Sequence, residues 1–388
     1  MTVTKRARMP ACGRALPFTD LAPYPRYCWI GGGTDFTVYE GPPRSSSIER
    51  VPFWRVRLPI NPIGRLTDFF MPASSDDTPR ILFMGTPHFA VPSLRALVAA
   101  GLTPVAVVTA PDRKRGRGQK TSATAVKEAA LELGIETIIQ PEEVKDPAFA
   151  DQIRHLQPDV IVVVAFRILP EAVFEAARLG SFNLHGSLLP AYRGAAPINR
   201  AIMAGDTETG VTTFFLKKKV DTGNIIMKRS MPIGPDETAG EVHDRMMELG
   251  AGVVVETTRA ILQGAARAQA QDDSQASPAP KIFREDCAID WRADATHIHN
   301  LIRGVSPVPG AFTSWSGKQF KIYRSRLGNS SVSAIPGAII QTEPDLEVAT
   351  GRGSLILDEV QIEGRQRMQA RDFVNGHRPE TGSILGGN

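Results

Sequence analysis

VIVVVAF, residues 160–166, is apolar at every position. A strand with one wet face alternates apolar and polar side chains, so an unbroken run of this length reads as a strand covered on both faces, as in a parallel sheet. Upstream the same signal recurs. Residues 81–84 form a short apolar run ending at Gly85, residues 91–100 a helix stopped by Gly101, and residues 103–109 a second strand. A basic loop leads into a helix over residues 123–133, with Ser122 as N-cap and Gly134 just past its end, and residues 135–139 read as another strand. Downstream, residues 171–178 read as a helix and residues 181–185 as a strand. Strands alternating with helices predict an α/β domain with a doubly wound, mostly parallel, Rossmann-like sheet. Residues 211–216 and 224–228 add two strands, and residues 238–263 one or two helices broken near Gly250.

Beyond this domain, QAQDDSQASPAPK at residues 269–281 is polar and aperiodic, and reads as a linker. After it, five short strands at residues 311–314, 318–323, 338–341, 347–349 and 355–363 alternate with turn residues such as Ser316-Gly317. That spacing predicts a small OB-like barrel. Trp291 and Trp315 are expected in its core. The division is therefore an N-terminal extension (1–78), a catalytic domain (79–268), a linker (269–283) and a barrel domain (284–388).

Residues 1–78 are rich in Pro, Gly, Ser and Arg and show no sustained period, which reads as a disordered tail or as a start assigned upstream of Met71. They also distort the charge. Of the formal +4, residues 1–70 hold ten Lys/Arg against five Asp/Glu, and the other 318 residues are nearly balanced. A nucleic-acid partner thus has to be argued from a local patch. Three cysteines, only Cys287 within the folded part, suit a reducing cytosol and exclude a disulfide framework. No apolar run has the length of a membrane helix.

The first strand–helix turn reads GTPHFA from Gly85, with one glycine where a dinucleotide fingerprint needs three, and no GxxxxGK[ST] loop is present. Nicotinamide, flavin and nucleoside triphosphatase chemistry are thereby disfavoured. SFNLHGSLLPAYR, residues 181–193, begins in a strand whose carboxyl end is the usual ligand position in such sheets. Asn183 and His185 are two apart, so they face one way on an extended chain. Asp221 lies in a Val220-Asp221-Thr222-Gly223 turn. A donor, a titratable ring and an orienting carboxylate together serve acyl transfer. Spacing alone also fits a satisfied turn network and an aspartate bonded to its own loop.

These residues resemble the folate-dependent formyltransferase family from about Arg80 onward. The likeness rests on N-x-H-x-SLLP at residues 183–190, RGAAPI at 193–198, GDTETGVT at 205–212 and Asp221-Thr222-Gly223. GTPxFA at 85–90 and PDRxxGRG at 111–118 bring it nearest to members that act on aminoacyl-tRNA. The resemblance implies catalysis by Asn183, His185 and Asp221, and a folate site lined by Ser187, Leu188, Leu189 and Pro190. It implies 10-formyltetrahydrofolate as co-substrate without a metal, initiator methionyl-tRNA as acceptor, and a monomer acting in the cytosol during translation initiation. A sugar-nucleotide or another small amine is the alternative acceptor. One departure is Arg167, where the family often has glycine, on a segment against which the pterin is expected to pack.

Arg113, Lys114, Arg115, Arg117 and Lys120 crowd into eight residues. Such a run describes a solvated loop or a grip on phosphates; the resemblance implies the second, with the acceptor stem of tRNA as partner. His88, His155, His243, His297, His299 and His377 are scattered and read as ordinary surface or core residues, without the spacing of a zinc site.

Overall fold

Along the chain, Ile81–Gly85 (β1) leads to Val91–Ala99 (α1), Ala106–Val108 (β2), Arg113–Arg115 (β3), Lys120–Ser122 (β4), Ala125–Glu132 (α2) and Ile138–Ile139 (β5) in the computed structural model. Pro147–His155 (α3), Val160–Val164 (β6), Glu171–Phe174 (α4), Gly180–His185 (β7), Arg193–Gly194 (β8) and Pro197–Ala204 (α5) follow. Glu208–Phe215 (β9), Ile225–Pro232 (β10) and Ala239–Leu262 (α6) complete the first half. The structure describes residues 78–115 and 120–387. The expected extension, the Met71 start and Arg117 lie outside the described residues.

Seven strands form the main sheet in the order β10-β9-β7-β6-β1-β2-β5. β7, β6, β1, β2 and β5 run parallel, while β9 and β10 are antiparallel additions at one edge. All of β6 is buried, and its alternation shows why it is continuously apolar. Val160, Val162 and Val164 join the core under α1, α2 and α6, whereas Ile161 and Val163 join the core under α3 and α4. β1 divides the same way, with Ile81 and Phe83 on one face and Leu82 and Met84 on the other. The parallel ladder directs the carboxyl ends of β1, β2, β6 and β7 toward one side, and functional groups collect there.

Three local expectations are revised. α2 starts two residues late because Thr124, not Ser122, caps it: Thr124 Oγ1 accepts the Lys127 amide at 3.1 Å, and Ser122 is spent in β4. α6 runs unbroken through Gly250. That glycine lets the helix lie against β7, since a Cβ there would stand 2.6 Å from Leu184 Cδ2. The basic segment is not wholly loop, because β3 and β4 pair as a hairpin.

Past Pro278–Ala279 (β11), the second half contains Ala295–Gly304 (α7) and the strands Ala311–Trp315 (β12), Lys318–Leu327 (β13), Ile339–Gln341 (β14), Leu346–Ala349 (β15), Ser354–Ile362 (β16) and Met368–Gln369 (β17), then Ala370–His377 (α8). Six of these strands form one curled antiparallel OB-like sheet, β12-β13-β16-β15-β14 with β17 beside β16. This is one more than the sequence pattern suggested. Trp291 is buried in its core as expected. Trp315 is only half-buried and packs its ring 5.0 Å from that of Phe373.

His299 of α7 is buried where the sheet domain and barrel meet. Its Nε2 donates to Pro235 O at 3.1 Å and its Nδ1 accepts from Ser325 Oγ at 3.0 Å, so the neutral ring is fully paired. Burial lowers its pKa below the ordinary 6.5 against the opposing pull of Pro235 O and Asp236, with Arg303 reinforcing the depression. The unfolded chain therefore takes up the proton first as pH falls. The stability linked to His299 is complete above about pH 6.5 and is lost progressively below it. Urea midpoints should fall between about pH 7 and pH 5, and His299→Gln should flatten that fall. An unaltered slope in the variant would contradict the assignment.

Candidate active site

Asn183 and His185 occupy the last turn of β7, clamped between β6 and β9, with Asn183 opposite Val163 and Phe214. Their common direction follows from the strand period, and both line a cavity of about 670 Å³ at the carboxyl ends of the sheet. Asp221 reaches the same cavity from the turn between β9 and β10, its backbone in the left-handed region at φ 56°. The three residues therefore converge from two segments that are 36 or more positions apart in sequence.

The hydrogen bonds define what His185 can do. Its Nε2 lies 2.9 Å from Tyr192 O, and a carbonyl only accepts, so Nε2 carries a proton. Nδ1 is then the ring nitrogen left for chemistry, and it stands 3.9 Å from Asp221 Oδ2. That gap is too long for a direct hydrogen bond. It allows a charge interaction once Nδ1 is protonated. Asp221 Oδ2 is itself fixed by the Gly194 amide at 2.9 Å. His185 and Asp221 are both largely buried, so their interaction is weakly screened. No side chain among the described residues hydrogen-bonds to the Asn183 amide, which leaves it available to a ligand.

Ser187, Leu188, Leu189 and Pro190 do not line the cavity; the lining stops at Gly186 and resumes at Gly194. Ser187 and Leu189 are fully buried because Ser187 Oγ donates to Ala191 O at 2.6 Å and the Leu189 amide donates to Thr212 Oγ1 at 3.1 Å. Phe166, Arg167, Ile168 and Leu169, which follow β6, form one wall of the cavity. Arg167 pins this loop by donating from Nη1 to Glu142 O at 2.8 Å and from Nη2 to Pro141 O at 2.6 Å. Phe89 and His243 meet on another wall with ring centroids 5.1 Å apart, so His243 belongs to the cavity rather than to the ordinary surface.

The basic hairpin leaves the carboxyl end of β2, the side of the sheet on which the cavity opens. Arg113 is exposed; Lys114 and Arg115 lie in β3, and Lys120 in β4. Asp112 does not offset their charge. It is bound at the root of the hairpin by Lys127 Nζ at 2.6 Å and Gln140 Nε2 at 2.7 Å, and these bonds hold its carboxyl below the usual range. Residues 269–281 make specific contacts with the loops around the cavity. Gln269 bridges Ile225, β11 pairs with β8, and Gln271 bonds to the Asp221 turn. Tyr192 and Gly194 fall inside quoted motifs, but their contacts go through backbone atoms that a motif does not reveal, and no pattern in the sequence marks Gln271. Among the described residues no group of three or more His, Cys, Asp or Glu is placed to hold a metal, and no helix is long and apolar enough to cross a membrane.

A doubly wound domain with an amide, an imidazole and a carboxylate in its cleft is joined to a small barrel. The chain belongs to the formyl transferase family: its family model matches residues 79–258, and the model of the formyl transferase C-terminal domain matches residues 281–378. Among curated relatives, a methionyl-tRNA formyltransferase of Chlorobium luteolum is 53% identical over 307 residues, covering 78% of this chain and 98% of that protein. One of Chlorobium phaeovibrioides is 49% identical over 79% of this chain and 98% of its own length. Among solved structures, an N-formyltransferase from Helicobacter canadensis, in complex with folinic acid and dTDP-3-aminofucose, has a TM-score of 0.56 at 21% identity and covers 72% of this chain and 98% of its own. At that identity the likeness concerns the fold alone.

Proposed function

We propose that this chain transfers the formyl group of 10-formyltetrahydrofolate to the α-amino group of initiator methionyl-tRNA, giving N-formylmethionyl-tRNA. The carrying observation is that Asn183, His185 and Asp221 converge on one cavity in a chain that matches relatives named methionyl-tRNA formyltransferase over nearly their whole length.

In this reading the amine attacks the formyl carbon and the C–N bond forms, while charge gathers on the carbonyl oxygen. The Asn183 amide and the protonated Nδ1 of His185 donate to that oxygen. Aimed donors in a dry site stabilise developing charge far more than the ground state. Asp221 stabilises the imidazolium and receives the proton shed by the attacking nitrogen. As the tetrahedral centre collapses, the bond to N10 breaks and the proton passes to N10. No metal takes part. The folate packs against Phe166–Leu169, with Ser187–Pro190 supporting the floor, and the cationic hairpin grips phosphates of the acceptor stem.

The direct test is transfer of labelled formyl from 10-formyltetrahydrofolate, with methionyl-tRNA and a nucleotide-linked aminosugar offered separately to the full chain. Product on methionyl-tRNA is expected; product on the sugar alone would replace this reading with a small-amine formyltransferase. Changing Arg113, Lys114, Arg115, Arg117 and Lys120 to alanine should raise KM for methionyl-tRNA roughly tenfold or more at about 100 mM salt and flatten its salt dependence. KM for the folate should stay the same. Equal salt slopes in parent and variant would remove the hairpin from the RNA site.

A further inference from the structure

The segment joining the domains makes contacts that a spacer does not need. Gln271 lies between the two loops that frame the cavity. Its Nε2 is 2.9 Å from Asp221 O and 2.8 Å from Gly223 O, so one amide group holds both ends of the turn that presents Asp221. Its Oε1 is 3.1 Å from Arg193 Nε and 2.7 Å from Arg193 Nη2. Arginine only donates, which fixes the orientation of the amide: oxygen to Arg193, nitrogen to the two carbonyls. Arg193 is in turn mostly buried and bonded from Nη2 to Asp273 Oδ1 at 2.7 Å.

The residue after Arg193 closes the circuit. Gly194 donates its amide to Asp221 Oδ2 at 2.9 Å, and the residue before Arg193 supplies the carbonyl that holds His185 Nε2. Asp221 is thus held twice, by its main-chain oxygen through Gln271 and by its carboxylate through Gly194. Both holds converge on the short stretch that also orients His185. β11 pairing with β8 and the Tyr192 amide donating to Ser277 Oγ at 2.9 Å fasten the same stretch to the joining segment.

We infer that Gln271 is a positioning residue for formyl transfer, its amide setting the Asp221 turn against the Arg193–Gly194 strand and so the spacing of Asp221 from His185. A carboxylate 3.9 Å from the ring nitrogen is sensitive to small displacements, and the turn is tied to this strand only by the Asp221 carboxylate on the Gly194 amide and by Gln271 among the described residues. The backbone at Asp221 is left-handed at φ 56°, a region aspartate enters more readily than most side chains. Gln271 fixes the Asp221 and Gly223 carbonyls at that bend.

The inference rests on the formyl-transfer reading, and the experiment separates the two. The full chain, Gln271→Met and Gln271→Glu are assayed with 10-formyltetrahydrofolate and methionyl-tRNA, with thermal midpoints measured beside them. Methionine keeps the shape without hydrogen bonds. Glutamate keeps the acceptor for Arg193 but faces the two carbonyls with no donor. Both should lower kcat by about 10- to 100-fold, as a small misplacement of a reacting group can, with KM for each substrate and the thermal midpoint little changed. Gln275→Ala, an exposed change in the same segment, should behave like the parent. Variants with kcat within about twofold of the parent, or with kcat, KM and thermal midpoint all impaired together, overturn the positioning role. A parent without transfer activity overturns the functional reading instead.

Discussion

Replacing Asn183 with alanine should lower kcat by about 10²- to 10³-fold, the usual cost of removing one aimed donor from a developing oxyanion, while KM for the folate moves little. The ground-state carbonyl carries only a partial charge and gains little from the amide. The tetrahedral oxyanion carries nearly a full charge and gains much, so the loss appears in the chemical step. Asn183 is half-buried and bonded to no other side chain among the described residues, so its truncation leaves the fold intact and the thermal midpoint close to the parent's. Asn183→Asp gives the sharper contrast. The shape is retained, yet a carboxylate there repels the charge that the amide stabilises, so the aspartate should be at least as impaired as the alanine. Single-turnover transfer, with substrate saturating, isolates the step. A kcat within threefold of the parent for either variant would remove Asn183 from the transition state.

The parts of this molecule legible in its sequence are those decided within a few residues. The two-faced burial of Val160–Val164 is written in its unbroken apolar run, and the shared direction of Asn183 and His185 in their spacing of two. Asp221 was legible through its turn and through the family likeness. What could not be read depends on partners far along the chain. The burial of Ser187 and Leu189 comes with bonds to Ala191 O and Thr212 Oγ1, partners that the motif's spacing does not announce. Gly250 has the composition of a helix break, but the nearness of Leu184 makes it a packing residue. Residues 269–281 show no period because, apart from one short turn over Asp272–Ala276, their bonds run to the loops at 192–196 and 221–225. The anchoring of Arg167 on two carbonyls, at Pro141 and Glu142, is likewise visible only in three dimensions.

Gly223→Ala should cost at least about 3 kcal/mol of stability, beyond the ordinary range for an added methyl group. A Cβ at residue 223 would stand 1.5 Å from Phe215 O and 2.9 Å from Phe214 Cδ2. The first obstacle is backbone, which cannot swing aside as a flexible side chain does. Phe215 also donates its amide to Asn224 O at 3.0 Å, so relief requires opening the end of the β9–β10 hairpin. That opening moves Asp221, two residues away, and the Gly223 carbonyl that Gln271 holds. Activity per folded molecule should therefore fall along with stability. Gly252→Ala is the matched control: it is exposed in α6 with nothing within 4 Å of a new Cβ, and alanine there should stabilise by about 0.5–1 kcal/mol through helix propensity. Urea unfolding of both variants gives the stabilities, and transfer assays well below the midpoint give the activities. A Gly223→Ala protein as stable as the parent would mean that the hairpin end yields freely, and the fixed placement of Asp221 would go with it.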